Sequence, residues 1–260
     1  MAWVTVPGSN NTREYEDTAT SSDTYPDAAG TYSGGIRTYT KPGTSDTVTV
    51  YARTRIRGEI NLAPNSEDFT AWSNNNGVTT TPNATIAPDD SLTGTSIIEV
   101  TNTQAHNVFF NTLIVTSGLK YTFSIYAKYN GRQMQILAPL ALFGSQNYAN
   151  FNLQTGTLGT KGTSVTDHKI ENVGNGWYRC SMTTPNASFN ATNGGFSPIL
   201  VETDSATRGQ SYLGDGDSGI FIWGAMASES EYIRRYIKTT GSVSTTIERG
   251  ELSKTYYDGQ

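Results

Sequence analysis

The chain has 260 residues, of which 35% are hydrophobic and only 16% charged, with 26 glycines and more tyrosine (15) than phenylalanine (9). Thr, Ser, Asn and Gly fill the remainder, a mixture that suits short strands with polar turns and ranks low in helix propensity, so an all-β fold is expected. A formal net charge of -5 argues against nucleic acid as the partner, which needs a basic surface, and no apolar run approaches the ~20 residues of a membrane helix.

Segment 1–58 is dense in polar and turn-forming residues. Its first seven residues, Met1-Ala2-Trp3-Val4-Thr5-Val6-Pro7, have neither the basic start nor the apolar stretch of a secretory signal, so none is expected. Two phrases alternate large or β-branched residues with polar ones and predict strands over 35–40 and 47–53. So few apolar residues do not close a core alone, so the segment should be stabilised by neighbouring copies or a larger assembly. A homo-oligomer is therefore expected. Trp3 should anchor in an interface, because nothing nearby in sequence is apolar enough to bury it.

Arg57-Gly58-Glu59-Ile60 is echoed by Arg249-Gly250-Glu251-Leu252. The echo fits a small parent module opened at Arg-Gly-Glu with a whole domain placed inside, an arrangement tolerated when the guest's termini lie close together. Three parts are thus expected: an anchoring module over 1–58, an inserted β-sandwich over 59–240, and a tail over 241–260 that completes the anchor.

Within the insert, strands are expected over 96–101, 107–115, 120–129, 133–137, 149–153, 176–183 and 219–225. Turns are marked by Asn76-Gly77, Ser117-Gly118, Asn130-Gly131, Thr155-Gly156, Asn175-Gly176 and Asn193-Gly194. Asn130-Gly131, between two alternating runs, gives the strongest hairpin signal. Many short strands with regular turns imply a sandwich or jelly roll. Residues 228–237 fit helical spacing and alternation nearly equally and are left unassigned. A lone cysteine, Cys180, in a strand-like run forms no intramolecular disulfide and reads as a core residue.

Catalytic patterns are sparse. Neither His106 nor His168 has metal-binding or triad spacing, no nucleophile elbow, phosphate loop or His-Glu-x-x-His motif occurs, and many acids sit in loop-like runs, so no enzyme is expected. Asp215 and Asp217, in Asp215-Gly216-Asp217-Ser218, have the oxygen chemistry for calcium, although a solvated acidic turn is the plainer reading. Sugar binding stacks an aromatic ring on a pyranose face, with amides and charged groups bonding its hydroxyls. Alternation sets Tyr126 opposite an apolar strand face, and likewise Gln133, Gln135, Tyr148 and Asn150. With Arg179 they form a polar-aromatic set that could line one concave face, or else an ordinary solvated face or a subunit contact.

Several phrases of the insert, in their order and spacing, resemble the jelly-roll module, similar to carbohydrate-binding domains, that recurs in phage tail fibres and head appendages. They are Asn61-Leu62-Ala63-Pro64-Asn65-Ser66-Glu67-Asp68-Phe69 with Trp72, Tyr121-Thr122-Phe123-Ser124-Ile125-Tyr126-Ala127-Lys128, Asn175-Gly176-Trp177-Tyr178-Arg179, Ile220-Phe221-Ile222-Trp223-Gly224-Ala225, and Tyr236-Ile237-Lys238-Thr239. Trp72, Trp177 and Trp223 belong to these phrases and are expected in the core. The resemblance also implies a structural calcium, with Glu67 and Asp68 in the first ligand position. Trp223-Gly224, however, stands where such modules carry acids, which puts that site in doubt, and no other cofactor is implied.

Trp3-Val4-Thr5-Val6-Pro7-Gly8-Ser9-Asn10-Asn11, Tyr15-Glu16, Asp23-Thr24-Tyr25-Pro26-Asp27 and the closing run 250–258 resemble a small structural protein of phages of cyanobacteria and other aquatic hosts. This implies a place on the virion surface, other virion proteins as partners, and Trp3, Tyr15, Tyr25, Tyr256 and Tyr257 as anchor residues; the resemblance to phage appendages implies a trimer as the favoured oligomer. Two functions follow as expectations: a fibre-type appendage whose sandwich touches host-surface glycan, or a capsid decoration protein without sugar binding. A secreted glycan-binding protein and a glycan-active enzyme come after these.

Overall fold

The computed structural model describes residues 61–72 and 76–241 in full, together with the backbone of four strands nearer the N-terminus. The chain divides into two compact units, Met1–Gly58 with Ile247–Gln260, and Glu59–Thr246. In the first unit, β1 (Ala2–Thr5) pairs antiparallel with β2 (Arg13–Glu16), setting Trp3 opposite Tyr15. Likewise β3 (Gly35–Thr40) pairs with β4 (Thr47–Ala52). Both strands expected here form. The anchor candidates Tyr25, Tyr256 and Tyr257, and the two Arg-Gly-Glu phrases, lie outside the described residues.

The second unit is an antiparallel β-sandwich, the expected fold class. Its strands are β5 (Val78–Thr85), β6 (Gly94–Glu99), β7 (Thr103–Gln104), β8 (His106–Asn107), β9 (Leu113–Val115), β10 (Thr122–Asn130), β11 (Gln133–Leu137), β12 (Tyr148–Asn152), β13 (Thr157–Lys161), β14 (Asp167–Gly174), β15 (Trp177–Thr183), β16 (Ala191–Gly194), β17 (Ser197–Val201), β18 (Tyr212–Leu213) and β19 (Gly219–Ser228). One short helix, α1 (Leu140–Phe143), joins β11 to β12. A six-stranded sheet runs β14-β15-β10-β19-β6-β5 and a five-stranded sheet runs β13-β12-β11-β17-β8.

Strand alternation sends Phe123, Ile125 and Ala127 of β10, Cys180 and Met182 of β15, and Ile220 and Ile222 of β19 into the space between the sheets. They meet Met134 and Ile136 of β11, Ala149 and Phe151 of β12, and Leu200 of β17. Each Ile, Leu, Met and Phe side chain among them contributes about 1.5–3 kcal/mol on full burial, so this layer is the main source of stability. An aromatic group is built around Trp72, edge-on to Phe69, Phe110 and Phe196 with centroids 4.8–5.8 Å apart. The beginning and end of the sandwich lie side by side: the Ser66 amide donates to Thr239 O (3.1 Å) and the Asn65 amide to Gly241 O (3.2 Å).

The structure corrects several expectations. Asn130-Gly131 does not close a hairpin, because β10 and β11 belong to different sheets. Gly131, with φ of +96°, turns the chain from one sheet into the other. The tight Asn-Gly hairpin is Asn175-Gly176 between β14 and β15, where both residues have positive φ (+53° and +79°), as a type I′ turn requires. Asn193-Gly194 is no turn but the end of β16.

The single strand expected over 107–115 divides. Residues 106–107 pair with β17 in the main sheet, and residues 113–115 pair with β16. Residues 229–240 follow β19 with neither helix nor strand assigned.

The alternation of β19 also breaks at Trp223-Gly224, where the β10 register slips between Ser124 and Tyr126. Gly224 has φ of +59°, and a Cβ on it would stand 2.9 Å from Tyr126 Cδ2. Trp223 already faces outward by alternation from Ile222, and this bulge is what returns Ala225 and Ala227 to the core. Trp72 thus joins the inter-sheet core as expected. Trp177 and Trp223 are buried instead in a second cluster, with Ala87, on the outer face of the six-stranded sheet. Their indole N–H groups donate to Ile86 O (3.0 Å) and Thr93 Oγ1 (2.9 Å) in the loop that covers them.

Candidate functional site

The outer face of the five-stranded sheet carries the side chains that alternate away from the core: Gln133, Gln135 and Leu137 on β11, Asn150 on β12, Ser197 and Ile199 on β17. Gln135 and Asn150 are register partners, and both are wholly buried. What buries them is a strap, residues 202–211, between β17 and β18. Gln135 Nε2 donates to Asn150 Oδ1 (2.7 Å) and Thr207 O (3.1 Å), and Gln135 Oε1 accepts from the Gly209 amide (2.7 Å). Asn150 Nδ2 donates to Ala206 O (2.7 Å) and Thr160 Oγ1 (2.8 Å), and Asn152 Nδ2 to Asp204 Oδ2 (2.8 Å). These amides satisfy backbone groups that would otherwise be buried unpaired. Gln133 Oε1 similarly accepts from the Leu153 amide (2.6 Å).

The strap covers the β12 side of this face and leaves a groove toward β8, with a volume of about 350 Å³. Leu137 and Ile199 lie in its floor. Arg208 and Gly209 of the strap line it, and so do Phe109 and Asn111 from the loop between β8 and β9 and Asn193 from β16. Phe109 is partly exposed, while Asn111 and Asn193 are exposed. Asn107 Nδ2 donates to Ser197 Oγ (2.9 Å), which donates to Val108 O (2.8 Å), fixing the loop that carries Phe109. Arg208 Nη2 donates to Ala138 O (2.5 Å), its Nε meets no acceptor among the described residues, and burial holds its pKa below the usual arginine value. An apolar floor, one accessible ring, two free amides and a cation are the components of a sugar subsite.

The six residues expected to share one face do not all meet. Gln133, Gln135, Tyr148 and Asn150 belong to the five-stranded sheet, whereas Tyr126 and Arg179 are register partners in the six-stranded one. There the Arg179 guanidinium lies 5.5 Å over the Tyr126 ring, and its Nη2 donates to Ser124 Oγ (3.1 Å) and Arg234 O (2.5 Å). Tyr126 also packs edge-on to Trp223 and Tyr236, and its pKa is raised chiefly by burial. Tyr148 is partly buried and opposite Leu137 in the β11 register. Phe109, Asn111, Asn193 and Arg208 escaped the sequence reading: 107–115 was expected as one strand, Asn193-Gly194 as a turn, and Arg208 stands on an irregular strap where alternation says nothing about facing.

The calcium candidates are occupied otherwise. Glu67 accepts from Lys238 Nζ (2.6 Å) and from Tyr236 Oη (2.9 Å). Asp68 caps a short turn, accepting from the Thr70 amide (3.0 Å). Asp215 accepts from the Asp217 and Ser218 amides (2.9 and 2.7 Å) and from Arg132 Nη2 (3.0 Å), contacts that hold its carboxyl below the usual range. Among the described residues, no three His, Cys, Asp or Glu side chains gather as a metal site would require.

No family model matches the chain, and neither does any curated protein. Solved structures with distant similarity include two. One is the enzymatically active domain of tailspike protein 4 of bacteriophage CBA120, at 17% identity and a TM-score of 0.37 over 65% of this chain. The other is the Clostridium thermocellum N-terminal endo-1,4-β-D-xylanase 10B, its CBM22-1-GH10 modules complexed with xylohexaose, at 10% identity and a TM-score of 0.35 over 69% of this chain. The chain spans 21% of the length of the first and 29% of the second.

Proposed function

We propose that this chain is a non-catalytic phage virion surface protein whose sandwich binds host-surface glycan for attachment. The groove carries this reading. Phe109 offers a ring on which a pyranose can stack, and Asn111 and Asn193 offer amides to its hydroxyls. Among the described residues no carboxylate lines the groove, which supports binding without hydrolysis, since glycosidases place a pair of acids about the scissile bond. The adjacent ends of the sandwich, and a first unit assembled from residues 1–58 and 247–260, support an anchoring module interrupted by a displayed domain. The anchor contacts other virion proteins and assembles as a homo-oligomer, with a trimer favoured.

The test is adsorption competition with the purified chain. The wild-type chain should block attachment of particles that carry it, and Phe109→Ala should block far less. Equal blocking by both, or by neither, would count against glycan attachment. With neither blocking, gold-labelled antibody spread over the head would favour a structural decoration protein.

A further inference from the structure

We infer that the groove selects an acidic sugar whose carboxylate seats on the Arg208 guanidinium, an inference that rests on the glycan reading above. Arg208 is the one charged side chain among the described residues that line the groove. Its Nη2 is held on Ala138 O, while its buried Nε donates to nothing among the described residues. The contrast is Arg132, on which Glu99 and Asp215 both close. A partly desolvated cation without a counter-charge is unfavourable, and the planar guanidinium fork matches a carboxylate with two parallel hydrogen bonds.

Arg208 is also held in place. The strap residues on either side are fixed to the sheet, Thr207 O by Gln135 Nε2 and the Gly209 amide by Gln135 Oε1. The guanidinium therefore needs little ordering when a ligand arrives. A sugar acid stacked on Phe109 presents its carboxylate at the ring edge, where a cation in the groove wall meets it. A neutral sugar offers only hydroxyls there and leaves the charge uncompensated.

The test uses the full chain on an array of uronic- and sialic-acid glycans, each paired with its methyl ester and with a sulfated form on the same backbone. Titration calorimetry follows on the best pair. A carboxylated member should bind about ten- to a hundredfold more tightly than its ester, the range for one hydrogen-bonded charge. Arg208→Gln should erase that difference, and a urea unfolding midpoint close to that of the wild type shows that the variant is folded. Arg208→Lys, keeping charge without the fork, should fall between.

Equal affinity for acid and ester, with both lost in Phe109→Ala, would overturn the acidic selectivity and leave glycan binding standing. A sulfated form preferred over the carboxylated one would overturn the carboxylate assignment. Binding of no member would overturn this inference and the glycan reading together.

Discussion

Replacing Arg132 with Met should destabilise the sandwich heavily, because it strands a buried carboxylate. The Glu99 side chain is wholly buried, whereas Arg132 remains 16% exposed. Arg132 Nε and Nη2 donate to the two Glu99 oxygens at 2.9 and 2.6 Å, Tyr212 Oη donates at 2.6 Å and the Asp215 amide at 2.8 Å. Breaking a buried pair from one side costs about 3–5 kcal/mol. The lower end applies here, since two donors remain on Glu99 and water can reach the vacated position. For a domain of this size, about 3 kcal/mol lowers Tm by roughly 6–12 °C. Adding Glu99→Gln should restore part of the loss, because an amide is far cheaper to bury than a carboxylate.

The assay is urea unfolding followed by the fluorescence of the buried Trp72, Trp177 and Trp223, with the double-mutant cycle completed. A loss below about 1 kcal/mol for Arg132→Met would show that the pair behaves as an exposed one, and the reasoning would fail.

Three further outcomes are expected. Asp215→Asn should lower stability near neutral pH but not at low pH. A carboxyl whose folded pKa lies below its ordinary value of 3.8 stabilises the fold above that value and loses the effect as pH falls through the folded pKa; a pH-independent gap between variant and wild type would contradict this. Cys180, wholly buried and with its thiol pushed well above the usual range by burial, should resist a thiol reagent in the folded chain and react in urea. Gly224→Ala should cost about 1–2 kcal/mol from positive φ alone, more if Tyr126 does not shift, measurable as a lowered urea midpoint.

Much of the fold was legible because alternation and turn chemistry are local signals. Residues 133–137 form a strand as expected, and the inward set Phe123, Ile125 and Ala127 follows from period two alone. Pairing partners are not local, so the Asn-Gly pair at 130–131 passed for a hairpin although its flanking strands enter opposite sheets. The same limit split the expected sugar-binding set. Alternation placed Tyr126 and Gln135 correctly as outward-facing, but it does not say which sheet each belongs to. Nor does it show that a strap between β17 and β18 buries Gln135 and Asn150. Strands β5, β13 and β14 were missed because they are polar edge strands, as in Val78-Thr79-Thr80-Thr81-Pro82-Asn83-Ala84-Thr85, where little is buried and the hydrophobic signal is weak. At Trp223-Gly224 the glycine marked a bulge that only the register with β10 reveals.

The most direct test of the glycan-binding groove is amide chemical-shift mapping of the isotopically labelled full chain, titrated with the glycans it binds best on the array. The account predicts shifts confined to Phe109, Asn111, Asn193, Arg208 and their neighbours, with Tyr126 and Arg179 on the opposite sheet, and Tyr236 packed against it, unmoved. Shifts centred on Tyr126 and Tyr236, or no shifts at saturating glycan, would contradict it.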